Sequence, residues 1–243
     1  MVGILIAAGI TTLIVIPIIY LLWRISSKSS ITLLLLVLQL PMSLILNLTV
    51  KNWLSLGIIG LGLPELFMLI LLLFVAPFTE EAIKLAGLPL ILRYPSTSSD
   101  NVDVETKVGW KQLRAAGLMS GLGFGVGEIW ALAWLVFLTP QGAYPWFFYQ
   151  PFIIERAQVV FIHGLMGLVS YLGYPRWLPL SYLVAVGLHA SVNAPVILLN
   201  LGLITTIQVS LFITVCSVAA FFIVAIILTT PEKRKRRRPI RGE

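Results

Sequence analysis

The stretch that decides the fold reads PELFMLILLLFVAPFTEEAIKLAGLPLILR and runs from Pro64 to Arg93. Its apolar run is typical of a helix that crosses a bilayer, because about 20 apolar residues span the hydrocarbon core. Two glutamates and a lysine, Glu80, Glu81 and Lys84, lie within the same span. Pro77 removes a backbone donor, so we expect a kink there or a division into two half-helices.

Similar apolar runs fill the rest of the chain, which is 58% hydrophobic and only 11% charged. A soluble domain needs more charge to cover its surface, and the short alternating strands of a membrane barrel are not seen in this sequence. We therefore predict an all-α fold, a polytopic transmembrane helix bundle of about seven spans within one integral membrane domain over residues 1–230. The predicted spans are Val2–Trp23, Ile31–Val50, Pro64–Arg93, Leu113–Leu138, Ile153–Gly173, Leu178–Leu199 and Leu203–Thr229.

The basic residues indicate how these spans cross the membrane. With the N-terminus outside, the loops predicted inside carry nearly all the lysine and arginine, and the outer loops carry only Lys51, as the positive-inside rule requires. The apolar segment Trp53–Gly62 is too short to span, so we interpret it as interfacial or re-entrant. The sequence thus predicts a multi-pass protein of the cell membrane with a cytoplasmic C-terminus.

The net charge of +7 comes mostly from a basic tail at residues 231–243. Such a run could bind nucleic acid. Because it directly follows a span, we expect instead that it fixes orientation and meets anionic lipid of the bilayer, and we predict no nucleic-acid partner.

Ionisable side chains inside the spans are the main functional signal, because charge in a bilayer is costly and usually faces a bundle interior. From the rise of about 1.5 Å per residue, His163 and His189 each lie roughly 15 Å from the ends of their spans, and Glu80 and Glu128 lie at a similar level. The sequence therefore predicts a polar cavity within the membrane. The candidate residues are Glu80, Glu81, Lys84, Glu128, His163, His189 and Asn193.

The spacing of these residues suggests different tasks for the paired glutamates. Glu80 and Glu81 point about 100° apart on a helix, and Lys84 shares a face with each of them. We expect one glutamate to face the cavity and the other to be held by a neighbouring helix or by Lys84. A purely structural ion pair is the alternative interpretation. Four glycines, Gly121, Gly123, Gly125 and Gly127, precede Glu128 and predict close helix packing at this point.

These motifs resemble the superfamily of CAAX prenyl endopeptidases and bacteriocin-processing membrane proteases, most closely its PrsW-type branch. The matching pieces lie between residues 66 and 193, in the family's order. They are PFTEEAIK (77–84), GLGFGVGE (121–128), the segment from Arg156 to His163 with Gly164 and Gly167, and HASVN (189–193). Two positions depart from the family pattern: Ile129 follows Glu128 where the PrsW-type motif commonly has asparagine, and the prenyl endopeptidases place arginine one residue after the position of Lys84.

The resemblance implies an intramembrane endopeptidase that acts on a membrane-anchored protein or peptide. It implies that Glu80 activates water with the help of His163, while His189 and Asn193 donate hydrogen bonds to the oxyanion. Glu81 and Lys84 would support the site, and Glu128 would be a further cavity acid. The sequence contains no HExxH motif, so we predict no metal or other cofactor, although a zinc site on histidine and glutamate stays open.

Two other functions are compatible with the same residues. A proton-coupled transporter or channel would also place glutamate and histidine within the membrane, and a catalytically inactive relative would bind peptides without cleaving them. The absence of an internal sequence repeat disfavours a transporter, and the spacing of His189 and Asn193 favours a protease.

Overall fold

The computed structural model describes residues 2–26, 28–94 and 109–230. This part of the chain is helical and contains no β-strand. The predicted basic tail at residues 231–243 lies outside the described residues. The helices are α1 (Gly3–Ser26), α2 (Ser30–Ile45), α3 (Lys51–Gly60), α4 (Glu65–Leu85), α5 (Leu88–Arg93), α6 (Trp110–Phe137), α7 (Gln150–Leu172), α8 (Leu178–Asn200) and α9 (Thr206–Thr229).

Seven helical segments in the described residues are long and apolar enough to cross a membrane. The segments are Gly3–Ser26, Ser30–Gly60, Glu65–Arg93, Trp110–Phe137, Trp146–Leu172, Leu178–Asn200 and Thr206–Thr229. The prediction of an all-α bundle with about seven spans is therefore confirmed, and the chain is a multi-pass membrane protein.

Helix α6 lies at the centre of the bundle and packs against α1, α2 and α7. Its glycines explain this position. A Cβ atom on Gly117, Gly121 or Gly125 would come within 3.0 Å of atoms of α7, and one on Gly123 or Gly127 would come as close to α2. Because only glycine lets the backbones approach this closely, alternate glycines let two neighbours pack tightly against one helix.

The segment Trp53–Gly62 differs from the predicted interfacial or re-entrant piece. Five residues in a π-helix, Leu46–Val50, join α2 to α3 without a break, so that one long helix runs from Ser30 to Gly60. The segment is therefore a continuation of the preceding span's helix and not a separate piece, whereas its position relative to the membrane surface stays a prediction. Helix α3 buries none of its residues and packs mainly against α4.

The division of the third span also falls at a different residue from the predicted one. Helix α4 runs through Pro77, and the chain turns at Ala86 and Gly87 before α5 begins. Membrane helices tolerate proline where neighbouring helices and local adjustments satisfy the freed backbone groups. The prediction of two half-helices meeting at Pro77 is therefore wrong.

Candidate functional site

The last turns of α4 carry the predicted acidic pair and are fixed by three neighbouring helices. Helix ends leave carbonyl groups without intrahelical partners. Here Gln39 of α2 donates to the carbonyl of Ile83 at 3.0 Å, while Ser120 of α6 and Tyr171 of α7 donate to the carbonyl of Lys84 at 2.7 Å and 3.1 Å. These bonds hold the turn with Glu80, Glu81 and Lys84 in one position.

Glu81 is the glutamate that binds Lys84. Its Oε1 accepts a bond from Lys84 Nζ at 2.5 Å and lies 2.8 Å from His189 Nδ1. Glu81 and Lys84 are fully buried. A buried pair of opposite charges avoids the large cost of an isolated charge. Glu81 and Lys84 therefore form a buried ion pair that contacts both histidines.

His163 of α7 connects this ion pair to Glu128 of α6. Its Nδ1 lies 2.9 Å from Lys84 Nζ, and its Nε2 lies 2.9 Å from Glu128 Oε2. A protonated lysine can only donate, so Nδ1 accepts, and Nε2 carries the ring proton and donates to Glu128. This assignment follows from the partners of the ring. The ring of His163 also lies edge-on to that of His189, with centroids 5.2 Å apart.

Glu80 points away from Lys84 and toward the histidines. Lys51 Nζ lies 2.6 Å from its Oε1. Its Oε2 lies 3.7 Å from His189 Nε2 and 4.0 Å from His163 Nδ1. Within the described part of the chain this oxygen is buried and has no hydrogen-bond partner. Buried polar atoms are nearly always bonded, so an unsatisfied oxygen between two imidazoles marks a place where a small polar molecule would be held.

The proton positions on His189 limit what this residue can do. Its Nδ1 faces Glu81, and a carboxylate only accepts hydrogen bonds, so Nδ1 carries a proton. If His189 also donates from Nε2 to a ligand, both nitrogens must be protonated and the ring must be an imidazolium. Glu80 and Glu81 lie on either side of this ring.

A cavity of about 50 Å³ lies against the histidines. This is enough for about three water molecules. Its polar lining residues are Glu128, Glu155, Arg156, His163, His189 and Asn193, and its apolar lining residues are Val159, Ile162, Met166, Val192, Val196 and Ile213. Glu80 does not line this cavity and lies behind the two rings.

The structure thus brings together most of the residues predicted from the sequence. Glu80, His163 and His189 converge, and Glu81, Lys84 and Glu128 contact the histidines. Asn193 lines the cavity beside both histidines but makes none of the hydrogen bonds that connect the other residues.

Two basic residues of the site were not among the predicted ones. Lys51, which was predicted to lie in an outer loop, lies against Glu80. Arg156 lies 3.6 Å from Glu128 Oε2 and also bonds Glu155. Lys51 could have been recognised from the sequence, because a row of polar residues spaced by four precedes it in an otherwise apolar span: Gln39, Ser43 and Asn47.

A metal ion is the competing occupant of the gap at Glu80. One donor atom each from Glu80, His163 and His189 lie within 4.8 Å of one another. Zinc binds nitrogen and oxygen donors of this kind at about 2.0–2.2 Å. However, Lys84 Nζ already lies 2.9 Å from His163 Nδ1, and Lys51 Nζ binds the other oxygen of Glu80. Two ammonium groups would repel a divalent cation at this position, so the donor set fits a metal poorly.

No family model, no curated protein and no solved structure matches this chain significantly. The resemblance to the membrane proteases therefore rests on the motifs alone.

Proposed function

We propose that this chain is a membrane-embedded endopeptidase that uses Glu80 as a general base and no metal. The observation that carries the proposal is the buried, unpartnered Oε2 of Glu80 between His163 and His189. A carboxylate oxygen with no protein partner is free to accept a proton from water, and the two imidazole rings beside it enclose the position of that water.

In the proposed reaction, water that enters between the two rings gives a proton to Glu80 and forms a bond to the carbonyl carbon of the peptide. His163, whose two ring nitrogens are bound to Lys84 and Glu128, assists by forming one side of the pocket that holds this water. The tetrahedral intermediate carries its negative charge on the former carbonyl oxygen, which accepts hydrogen bonds from His189 and Asn193. The C–N bond then breaks, and the leaving amine takes up the proton held by Glu80, so that water is added overall.

The oxyanion donors differ in how firmly they are held. His189 is held in place by Glu81, whereas Asn193 makes none of the bonds that connect the site and is free to turn toward a substrate. Each preorganised donor contributes roughly 3–4 kcal/mol in comparable enzymes. The burial of the site raises the value of these bonds because water is excluded.

The location of the site supports a membrane-anchored protein or peptide as substrate. Every residue of the proposed machinery lies on a helix that is long and apolar enough to cross the membrane. The cavity is lined by apolar residues of α7, α8 and α9 as well as by polar residues. An apolar side chain of a membrane-anchored peptide could contact the apolar residues while its scissile bond lies against the polar ones.

The positions of the basic residues support an orientation with the N-terminus outside. In the antiparallel bundle Arg24, Lys28, Arg93, Lys111 and Arg114 lie at the same end. Toward the other end lie Lys51 and Arg156, which are ion-paired with buried glutamates and so leave little free positive charge there. Reporter fusions at Ser99 and after Thr230 should both report the cytoplasm. A split result contradicts the seven-span topology.

The direct test compares membrane-peptide fragments from cells that carry the wild type or Glu80→Gln. Fragments that disappear with the variant identify the substrate, and the purified wild type should cleave that peptide in detergent. Cleavage should persist with a strong chelator, because Glu80 acts without metal. If a chelator abolishes cleavage and added zinc restores it, the protein is a metalloprotease.

A second candidate function, proton-coupled transport, is favoured by one observation. Ionisable groups form a chain of close contacts from Glu81 through Lys84, His163 and Glu128 to Arg156. Such a chain could relay protons. In this case the purified protein would cleave no peptide, and reconstituted vesicles would show proton movement that Glu128→Gln abolishes. A peptide-binding relative would show neither activity.

A further inference from the structure

We infer that Lys51 is a positioning residue for Glu80, a role that rests on the proposed function. The lysine lies at the junction of the π-helix and α3, outside the motifs that suggest a protease. Its ammonium group binds only one of the two carboxylate oxygens of Glu80. It therefore selects the oxygen that remains available for chemistry.

The geometry of Glu80 carries this inference. Lys51 Nζ lies 2.6 Å from Oε1, so this oxygen is engaged. A carboxylate is planar, and fixing one oxygen fixes the direction of the other. The second oxygen, Oε2, consequently faces His189 Nε2 and His163 Nδ1 and keeps no protein partner. Without Lys51 the side chain could rotate and direct either oxygen elsewhere.

Lys51 is itself held in place by α2. Its Nζ donates to Asn47 Oδ1 at 2.7 Å, and Asn47 Nδ2 donates to the carbonyl of Ser43 at 2.9 Å. Residues spaced by four rotate by about 40° per step around an α-helix. The π-helix Leu46–Val50 holds more than four residues per turn, so a step of four there falls short of a full turn and offsets this rotation. The π-helix thereby keeps Lys51 on the same face as Ser43 and Asn47, toward Glu80.

The charges around Glu80 explain why a cation is required there. Lys84, the other lysine of the site, is occupied by Glu81 and His163. The side chain of Glu80 is only 1% exposed, so water cannot compensate for a missing partner, whereas that of Lys51 is 20% exposed. Removing one partner of a buried ion pair leaves an uncompensated charge, which is strongly destabilising.

The first test measures proteolysis by Lys51→Met, Lys51→Arg and the control Lys111→Met, with the peptide that the wild type cleaves. Lys111 is a matched lysine, exposed in the first turn of α6 and away from the site. Misplacement of a catalytic group can cost about 10²-fold. We expect kcat of Lys51→Met to fall about 10–100-fold while KM changes less than about threefold. Lys51→Arg should recover most of kcat, and Lys111→Met should match the wild type.

The second test measures the contact without using catalysis. Thermal unfolding in detergent is compared for the wild type, Lys51→Met, Glu80→Gln and the double variant. We expect Lys51→Met to lower the unfolding midpoint by about 4 °C or more. The double variant should unfold close to Glu80→Gln alone, because no unpaired charge remains; such non-additivity identifies two residues in contact.

The combined results distinguish the possible failures. Additive midpoints overturn the contact between Lys51 and Glu80. If the two substitutions change the unfolding midpoint non-additively but kcat is unchanged, Lys51 and Glu80 form a purely structural ion pair. The same holds if Lys51→Arg does not restore a kcat that Lys51→Met has lowered. Either result overturns the positioning role. Absence of proteolysis by the wild type overturns the proposed function and the positioning role with it, whereas coupled midpoints would still establish the contact.

Discussion

Helices α6 and α9 are similar in length but have opposite positions in the bundle. The mean hydropathy of the most apolar stretch is 1.4 in α6 and 2.9 in α9, yet 67% of that stretch is buried in α6 and only 22% in α9. In a soluble protein the more hydrophobic helix would be the buried one. Here lipid is the surrounding medium, so glycine and polar residues collect at the centre and the most apolar helix lies outside.

The comparison predicts that substitutions in the polar centre lower the catalytic activity most. Glu80→Gln retains the size of the side chain and removes the base. Turnover should fall about 10²–10⁴-fold, which is the usual contribution of a general base. The measurement is kcat/KM of purified protein, with Glu65→Gln as control, since Glu65 is exposed at the start of α4. Full activity of Glu80→Gln ends the proposal that this glutamate is the base.

A slightly smaller loss of activity is expected from a substitution among the residues that line the cavity. Asn193→Ala removes one oxyanion donor and should lower kcat about 10²–10³-fold. KM should change much less, because the bond matters most in the transition state. Ser191→Ala is a control on the same helix, since the exposed Ser191 hydroxyl donates to the carbonyl of Gly187. A loss expressed entirely in KM would instead make Asn193 a substrate-binding residue.

The packing of the centre should respond to the addition of a single methyl group. In Gly121→Ala the new Cβ meets the backbone of His163 and Gly164, whereas in Gly187→Ala it meets open space. Overpacking against a fixed neighbour costs about 1–3 kcal/mol. Gly121→Ala should therefore unfold at lower temperature in detergent, and Gly187→Ala should keep the wild-type midpoint. Equal stability of the two variants would mean that α6 and α7 are not in close contact.

The smallest changes in stability and activity are expected from substitutions on α9. Ile207 and Phe222 are 80% and 61% exposed. Substitutions at exposed positions without specific contacts usually change stability by less than about 0.5 kcal/mol. Ile207→Ala and Phe222→Ala should retain the wild-type unfolding midpoint and the wild-type kcat/KM. A clear loss of activity in either variant would place part of the function on the outer face of α9 and contradict the division between centre and periphery.

The spans were the part of the fold that the sequence predicted best, because the apolar length needed to cross a bilayer is nearly constant. The helix breaks were predicted less well. Pro77 lies within α4, and the turn falls at Gly87, because side chains from other helices bind the carbonyls of Ile83 and Lys84. Such tertiary contacts leave no local signal in the chain.

In the candidate site, helical spacing predicted that the two glutamates would have different partners. In the structure Lys84 binds Glu81, and Glu80 faces the two histidines. The partner of Glu80 was missed. Lys51 was assigned to an outer loop by its position between two apolar runs, but the π-helix before it continues α2 and turns the lysine inward. The row Gln39, Ser43 and Asn47 indicates the helix face on which Lys51 lies, but the π-helix that keeps the lysine on this face depends on local winding that the row does not reveal.

The two glycine faces of α6 also have a consequence for how the protein is made. Helix α2 is synthesised before α6, and α7 is synthesised after it. Since glycine adds little to membrane partitioning, α6 is a weak insertion signal compared with the spans that precede it. We expect the face with Gly123 and Gly127 to dock on the completed α2 first. The face with Gly117, Gly121 and Gly125 then stays open until the ribosome has delivered α7, and with α7 comes His163.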